Sequence, residues 1–353
     1  MTRLLWWGNL ALAAATLLAL ASPYVDPRAL WVPAFAALAF PSLVVAHLLA
    51  VVFWALRRSW RVLLSAGALA AGWPATQALV GLHAASPGDP ADDRGRALTA
   101  TVYNLVGGRR LGSPQGYRAD GAELACFAEG ADLVATVESP RWAPVAEGLR
   151  RDLAAGGLGE VYAPSSVAVR LFSRYPLTRG RVVEAYNEVN GAVAAELIVP
   201  GGDTLTVVAA HLQSNRVRLD AGEVVRDLAG GREGEAYWTV RSVAANYRYA
   251  ARARSEAVAA IADLVRASRH PVLLLGDLND VPLSYPLGEL RRAGLVDAFA
   301  EAGRGLGVTY PGTIPGLRID YVLATPQLRP LSAEVVRDCE LSDHRPTRAT
   351  FAW

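Results

Sequence analysis

The sequence contains no lysine: all 35 of its basic residues are arginine, set against 33 acidic ones. The resulting net charge of +2 excludes the strongly basic domain that marks nucleic-acid binding by composition alone. Arginine-only basicity also fits a GC-rich bacterial source. Cysteine is nearly missing too. Cys126 and Cys339 are the only two, too few for a disulfide-scaffolded domain. Their expected settings, a helix and a late strand, favour two buried free thiols over a pair. Neither an internal repeat nor a low-complexity tract is present, which removes solenoids and biased polymers from consideration.

Charge is scarcest near the N-terminus, while 52% of all residues are hydrophobic. Leu4–Val25, Leu30–Leu56 and Val62–Leu82 are each apolar over about the 20 residues that a bilayer crossing needs. Of Asp, Glu, Arg and His, only His47 interrupts them; it reads as a neutral imidazole bonded to a helix neighbour. Three transmembrane helices over residues 1–83 are therefore expected, with a cleaved leader as the alternative for the first. Trp6, Trp7, Trp31 and Trp60 lie near segment ends, as interfacial anchors do. Arg57, Arg58 and Arg61 crowd the second loop, whereas the first holds only Asp26 and Arg28. The positive-inside rule then puts the arginine loop in the cytoplasm and everything after Leu82 outside a bacterial cytoplasmic membrane. Residues 84–96, rich in Pro, Gly and Asp, read as a tether to a catalytic domain over 97–353.

From Ala97 onward, short β-type runs alternate with turns and a few helices. Strands are expected at Leu98–Val106, Leu133–Val137, Val167–Phe172, Arg181–Tyr186, Ala192–Val199, Thr204–Ala210, Pro271–Leu275, Ile319–Leu323 and Thr347–Phe351. Helices are expected at Arg118–Gly130 and Ala244–Ser268. Two β-rich halves with outer helices imply sheets packed face to face. Gln213–Ala244, charged and aromatic, is either a functional loop or a solvated insertion.

Acidic, amide and imidazole groups recur where strands end. Asn104, Glu138 and His211 each close a run; Asp277 and Asn279 follow Leu273-Leu274-Leu275-Gly276. Asp320 opens a run, and Asp343-His344 precede the last. One carboxylate and one amide oxygen suit a hard cation such as Mg²⁺, which keeps several waters. Imidazoles and further carboxylates can then move protons and orient a phosphate.

In this order, Tyr103-Asn104, Glu138, Ser173-Arg174-Tyr175-Pro176, His211-Leu212, Gly276-Asp277-Leu278-Asn279, Arg318-Ile319-Asp320-Tyr321 and Ser342-Asp343-His344-Arg345-Pro346 resemble the endonuclease/exonuclease/phosphatase superfamily. That group includes DNase I, abasic-site endonucleases, neutral sphingomyelinases and inositol polyphosphate 5-phosphatases. The three apolar segments, His211-Leu212-Gln213-Ser214-Asn215 and Asn279-Asp280-Val281-Pro282-Leu283-Ser284-Tyr285 are similar to membrane-anchored bacterial members. The resemblance implies a four-layer α/β/β/α sandwich (DNase I-like, α/β). It also implies a metal-dependent phosphoric ester hydrolase using Mg²⁺, with Mn²⁺ as the alternative. By the same likeness Glu138 is the principal metal ligand with Asn104 beside it, and Asp277 positions or deprotonates water. Asn279 orients a phosphate oxygen, His344 contacts the phosphoryl group, held by Asp343 or a neighbouring carboxylate, and His211 serves the leaving group. Asp320 orients a histidine. Two positions depart from the pattern: Val137 stands where a Gln precedes the metal Glu, and position 106 is Val instead of a carboxylate, which disfavours a two-metal site.

The expected substrate is a phosphate ester, a phospholipid or lipid-linked phosphate being favoured by tethering among membrane lipids. An extracellular or periplasmic endonuclease acting on nucleic acid is one alternative, and a catalytically silent binding scaffold is another. Arg174 reads as structural, beside a turn at Pro176. Arg318 and Asp320 read as site residues in preference to a surface ion pair. His83 and His270 read as surface residues.

Overall fold

The computed structural model describes residues 2–83, 97–108, 125–215, 230, 233–312, 316–339 and 341–353. In chain order it contains α1 (Thr2–Ala21), α2 (Val32–Leu38), α3 (Phe40–Leu56), α4 (Val62–Ala71), α5 (Trp73–Gln77), β1 (Val80–Leu82), β2 (Ala97–Asn104), β3 (Leu133–Val137), α6 (Ala143–Ala155), β4 (Glu160–Tyr162), β5 (Arg170–Ser173), β6 (Leu177–Ala185), β7 (Gly191–Ile198), β8 (Thr204–His211), α7 (Glu233–Ala267), β9 (Val272–Asp277), α8 (Tyr285–Arg292), β10 (Val296–Asp297), α9 (Ala298–Ala302), β11 (Arg304–Leu306), β12 (Asp320–Ala324), β13 (Arg329–Val335) and β14 (Thr347–Ala352).

Two six-stranded mixed sheets run in the orders β10-β12-β9-β8-β7-β6 and β13-β14-β2-β3-β5-β4. Their facing sides share one apolar core, with Val102, Ala135 and Val137 of one sheet and Val207, Ala209 and Leu275 of the other. Strands buried on both faces read as continuous apolar runs rather than alternating ones, which is why Val272–Leu275 carries no polar residue. Outside the first sheet, α7 and α8 bury Val258, Ile261 and Leu287 against Val208 and Leu274. Outside the second, α6 buries Val145 and Leu149 with Tyr103 and Phe172. The result is an α/β fold of two sheets with helices on both outer faces.

Three expectations change. The three apolar segments do not form three uninterrupted spans. Among the described residues, only Arg3–Tyr24 is a single helix long and apolar enough to cross a membrane. The second run bends by 65° between α2 and α3, and the third is the short α4 followed by α5. Pro41 at the start of α3, and Gly72 and Pro74 at the α4–α5 junction, account for the breaks. Cys126 and Cys339 are disulfide-bonded, with Cα atoms 6.0 Å apart, instead of free. Cys126 lies in a 3₁₀ turn over Ala125–Ala128, not a helix, and Cys339 packs in the same outer core. The rest of the expected helix at Arg118–Gly130 falls mostly outside the described residues, as do the tether at 84–96 and much of the 213–244 insertion. Within that insertion, α7 starts at Glu233 and absorbs the predicted Ala244–Ser268 helix.

The N-terminal helices do not hang free. β1 pairs with β11, and Asp26 in the α1–α2 connection accepts a hydrogen bond from Ser255 of α7 at 2.7 Å. Inside the helical layer, Asn9 and Ser65 bond at 2.7 Å and Thr16 and His47 at 3.0 Å, so the His47 partner sits on a neighbouring helix. Arg61 lies over both Trp6 and Trp54, collecting the aromatic residues at one end of the layer.

Candidate active site

Sheet register assembles the site. His211 and Asp277 are partners across the parallel β8–β9 pair, and Asp277 and Asp320 across the antiparallel β9–β12 pair. Residues in register point to the same face, so these three side chains emerge together at one sheet end. From the other sheet, Asn104 ends β2 beside Val137, the last residue of its parallel neighbour β3. The chain turns sharply just beyond: Val106, Glu138 and Asn279 all have positive φ, at 46°, 45° and 51°. Three non-glycine residues held there mark backbone strain at one locus, as functional sites often show. Gly107 N–H donates to the Glu138 carbonyl at 2.8 Å, which ties two of the turns together.

The polar contacts are dense. Asn104 Nδ2 donates to Asp277 Oδ2 at 2.9 Å and to Glu138 Oε1 at 3.2 Å, while its Oδ1 accepts from Val106 N–H at 3.0 Å. Asn279 N–H donates to Asp277 Oδ1 at 2.9 Å, and Asn279 Nδ2 to the Leu212 carbonyl at 3.0 Å. His211 Nε2 stands 3.6 Å from Glu138 Oε1 and 3.8 Å from Asp277 Oδ2. His211 Nδ1 lies 3.2 Å from the Val189 carbonyl oxygen and 3.3 Å from Asn190 Nδ2. His344 Nδ1 donates to Asp320 Oδ2 at 2.9 Å, and its Nε2 lies 3.8 Å from Asp277 Oδ2. An open cleft of about 290 Å³, lined by Val106, Gly107, Glu138, Ser139, Arg141 and Val189, borders the site on the Glu138 side.

Burial, and then the Asp320 carboxylate, push the Asp277 carboxyl above its ordinary range against the nearby imidazoles and the Asn104 amide. His344 runs the other way. Burial alone would depress its pKa, but the Asp320 and Asp277 carboxylates outweigh it and raise the pKa to about 10. The His344 ring is therefore an imidazolium at neutral pH, held by a carboxylate.

Asn104, Glu138, His211, Asp277, Asn279, Asp320 and His344 thus converge. Asp343 does not join them: its Oδ1 accepts from Ser342 Oγ at 3.4 Å, and the carboxylate on the His344 ring is Asp320. Arg318, two residues before Asp320 in sequence, is buried and pairs with Asp297 instead. Arg174 bonds Asp132 at 3.0 Å, away from the site. Asn190 was not legible in the sequence. Its Nδ2 donates to the Leu212 carbonyl at 2.8 Å, the acceptor that Asn279 also uses. The only sequence signal was its place in the Asn187–Gly191 turn, where Asn187 Oδ1 accepts from two backbone N–H groups.

The donor set fits a hard divalent cation. The amide of Asn104 sits between two carboxylates, and both His211 Nε2 and Asp320 Oδ1 are buried without a hydrogen-bond partner. Asp277, Asp320 and His344 also offer ligand atoms within 4.8 Å of one another. There, however, the best atoms of Asp320 and His344 are already spent on each other. Glu138, half-open to the cleft, would hold the ion, and Asn104 would join it only through Oδ1, since its Nδ2 donates to Glu138 and Asp277.

Two family models match the chain. One, described as a domain of unknown function (DUF8431), covers residues 2–79. The other, the Endonuclease/Exonuclease/phosphatase family, covers residues 92–344. No curated protein sequence matches. Among solved structures, an endonuclease/exonuclease/phosphatase from Beutenbergia cavernae is 20% identical over 73% of this chain and 72% of its own, with a TM-score of 0.51. Sphingomyelinase C from Streptomyces griseocarneus is 21% identical over 73% of this chain and 99% of its own, with a TM-score of 0.52. Beta toxin from Staphylococcus aureus is 18% identical over 71% and 99%, with a TM-score of 0.50. These likenesses carry the fold, and the family match carries the chemistry: the chain belongs to the endonuclease/exonuclease/phosphatase family and is a metal-dependent phosphoric ester hydrolase.

Proposed function

We propose that this protein is a membrane-anchored phosphodiesterase, loaded with Mg²⁺, whose catalytic domain lies outside the cytoplasmic membrane and acts on a phospholipid or lipid-linked phosphate. The observation that carries the reading is the position of the active-site loop. Val281 and Leu283, just beyond Asn279, are buried among Ala19, Ala37 and Phe40 of the N-terminal helices. A chain of four residues spans at most about 14 Å, so the catalytic centre stands close to the most apolar part of the molecule. The Arg57–Arg61 connection, at the opposite end of the helical layer, faces the cytoplasm on the positive-inside rule. The disulfide supports an oxidising compartment for the domain.

The residues divide the work. Asp277, with its raised carboxyl and its backbone and amide partners, orients water and takes its proton. Asn279 has one amide N–H on Leu212 and the other free to hold a phosphoryl oxygen. His344, charged and locked by Asp320, presents Nε2–H to the charge that develops on phosphorus-bound oxygen. His211 presents Nε2 from the opposite side, beside Glu138. A divalent cation held by Glu138 and Asn104 supplies further charge neutralisation when bound.

The test is a substrate panel with the full chain in detergent: sphingomyelin, phosphatidylinositol phosphates, plasmid DNA, RNA and bis(p-nitrophenyl) phosphate, each with Mg²⁺, Mn²⁺ or EDTA. Lipid turnover that EDTA abolishes is expected. Cleavage of DNA or RNA without any lipid turnover would overturn the substrate reading in favour of a nuclease.

A further inference from the structure

We infer that the N-terminal helical layer is part of the machinery that positions the catalytic centre, acting through Arg254 and the segment Asp280–Leu283. Arg254 is fully buried on the inner face of α7. Its Nε donates to Asp280 Oδ2 at 2.9 Å, and its Nη1 donates to the Gln213 carbonyl at 2.9 Å and to Asn215 Oδ1 at 2.7 Å. One guanidinium therefore joins two loops. The first begins at Leu212, whose carbonyl accepts from Asn279 and Asn190; the second carries Asn279 itself. A planar fork with several donors can do this, and a point charge on a flexible stem cannot.

Both sides of the clamp rest on the N-terminal helices. Behind the guanidinium, at 5.7 Å, lies the Tyr247 ring, which packs on Phe35 at 5.1 Å and Trp31 at 6.4 Å. Beyond Asp280, Val281 and Leu283 enter the apolar cluster around Phe40. The Asp280 carbonyl accepts from Tyr321 Oη at 2.9 Å, so the loop is also gripped from β12. The stretch from Asn279 to Leu283 cannot shift without moving either a buried ion pair or two buried apolar side chains. The helical layer thus sets where Asn279 and, through Leu212, His211 stand. This is a positioning role: among the described residues, none of the N-terminal helices is seen to touch the reacting groups.

The inference rests on the hydrolase reading only for its kinetic readout, so the experiment uses two. Phe40→Ala, Phe40→Leu and Arg254→Lys are made in the full chain, purified in detergent, and compared with the parent by amide hydrogen exchange and by turnover of bis(p-nitrophenyl) phosphate with Mg²⁺. Phe40→Ala and Arg254→Lys are expected to speed exchange in residues 278–284 and 212–215 while the β2–β3 strands stay protected. They should lower kcat on the order of ten- to a hundredfold, the scale of a small misplacement of catalytic groups, with little change in KM. Phe40→Leu, which refills the socket, should restore most of both. Unchanged exchange in 278–284 in both Phe40→Ala and Arg254→Lys overturns the coupling. Altered exchange with a parent that turns over no phosphodiester leaves the coupling standing and defeats the assigned reaction instead.

Discussion

Asp277 shows most directly how burial and charge decide a role. Its carboxylate lies fully buried between two imidazoles and beside Asp320. Replacing it with Ala should lower kcat by roughly 10²–10⁴, the usual contribution of a proton-transfer group. Equal turnover in parent and variant would dismiss the assigned site. His344 gives a pH test. Its pKa is raised from 6.5 to about 10, so the stability gained from its pairing is full below the unfolded value near 6.5 and fades as pH climbs toward 10. Asp320→Asn removes the hydrogen-bonded carboxylate. The alkaline limb of the kcat/KM profile should then move down toward the ordinary histidine range, and the stability gap between parent and variant should be widest at neutral or mildly acidic pH and narrow toward pH 10. An unmoved alkaline limb would mean that His344 is not the group reporting there.

At the scale of elements, the site depends on register between strands. Gly276 precedes Asp277 on β9, and a Cβ there would meet the Ala210 carbonyl oxygen at 2.3 Å, on the strand that ends in His211. Gly276→Ala should therefore pry β8 from β9, at a cost of about 1–3 kcal/mol in denaturant unfolding plus a loss of turnover. Full activity at parental stability would refute that register argument. The Cys126–Cys339 bond joins the 3₁₀ turn after β2 to the segment before β14, across 213 residues of sequence. Reduction should lower unfolding free energy by about 2–5 kcal/mol, read as a fall in melting temperature with dithiothreitol. An unchanged melting temperature would remove the bond as a stabiliser. Strands were the more legible elements because apolar runs bounded by turn residues announce them. The long helix α7 was only half visible: its first turns, with exposed Tyr237 and Trp238, lack the apolar stripe that Ala250, Ala257, Val258 and Ile261 supply later. Arg254 lies in register with that stripe, and an arginine on the apolar face of a helix was the overlooked sign of a buried partner.

At the scale of the molecule, the N-terminal helices and the catalytic domain are one packed body among the described residues. The α1–α2 connection sits against α7 and α8: the Pro23 carbonyl accepts from Arg292 at 2.9 Å, and the Arg28 carbonyl from Arg252 at 2.9 Å. Gly288 is packed on Pro23 so closely that a Cβ would strike its carbonyl oxygen at 2.5 Å. In cell fractionation the chain should remain with membranes after a high-salt or carbonate wash and leave only with detergent, since apolar burial, unlike surface charge, is indifferent to salt. Release by salt alone would make the N-terminal layer a soluble appendage.

By itself the sequence determined which chemistry is available. Asn104, Glu138, His211, Asp277, Asn279, Asp320 and His344 stand at strand ends, where a side chain can leave a sheet, and that order along the chain identified the family. Apolar periodicity likewise announced the sheets and a helical N-terminus. Only the tertiary structure decided which carboxylate holds His344, Asp320 and not Asp343, because a difference in facing direction is invisible in neighbouring letters. The same holds for the cysteine pair, for Asn190, and for the clamp made by Arg254: each depends on residues far apart in sequence meeting at hydrogen-bonding distance. The number of uninterrupted spans also lay beyond composition, since Pro41, Gly72 and Pro74 break helices that hydropathy alone reads as continuous.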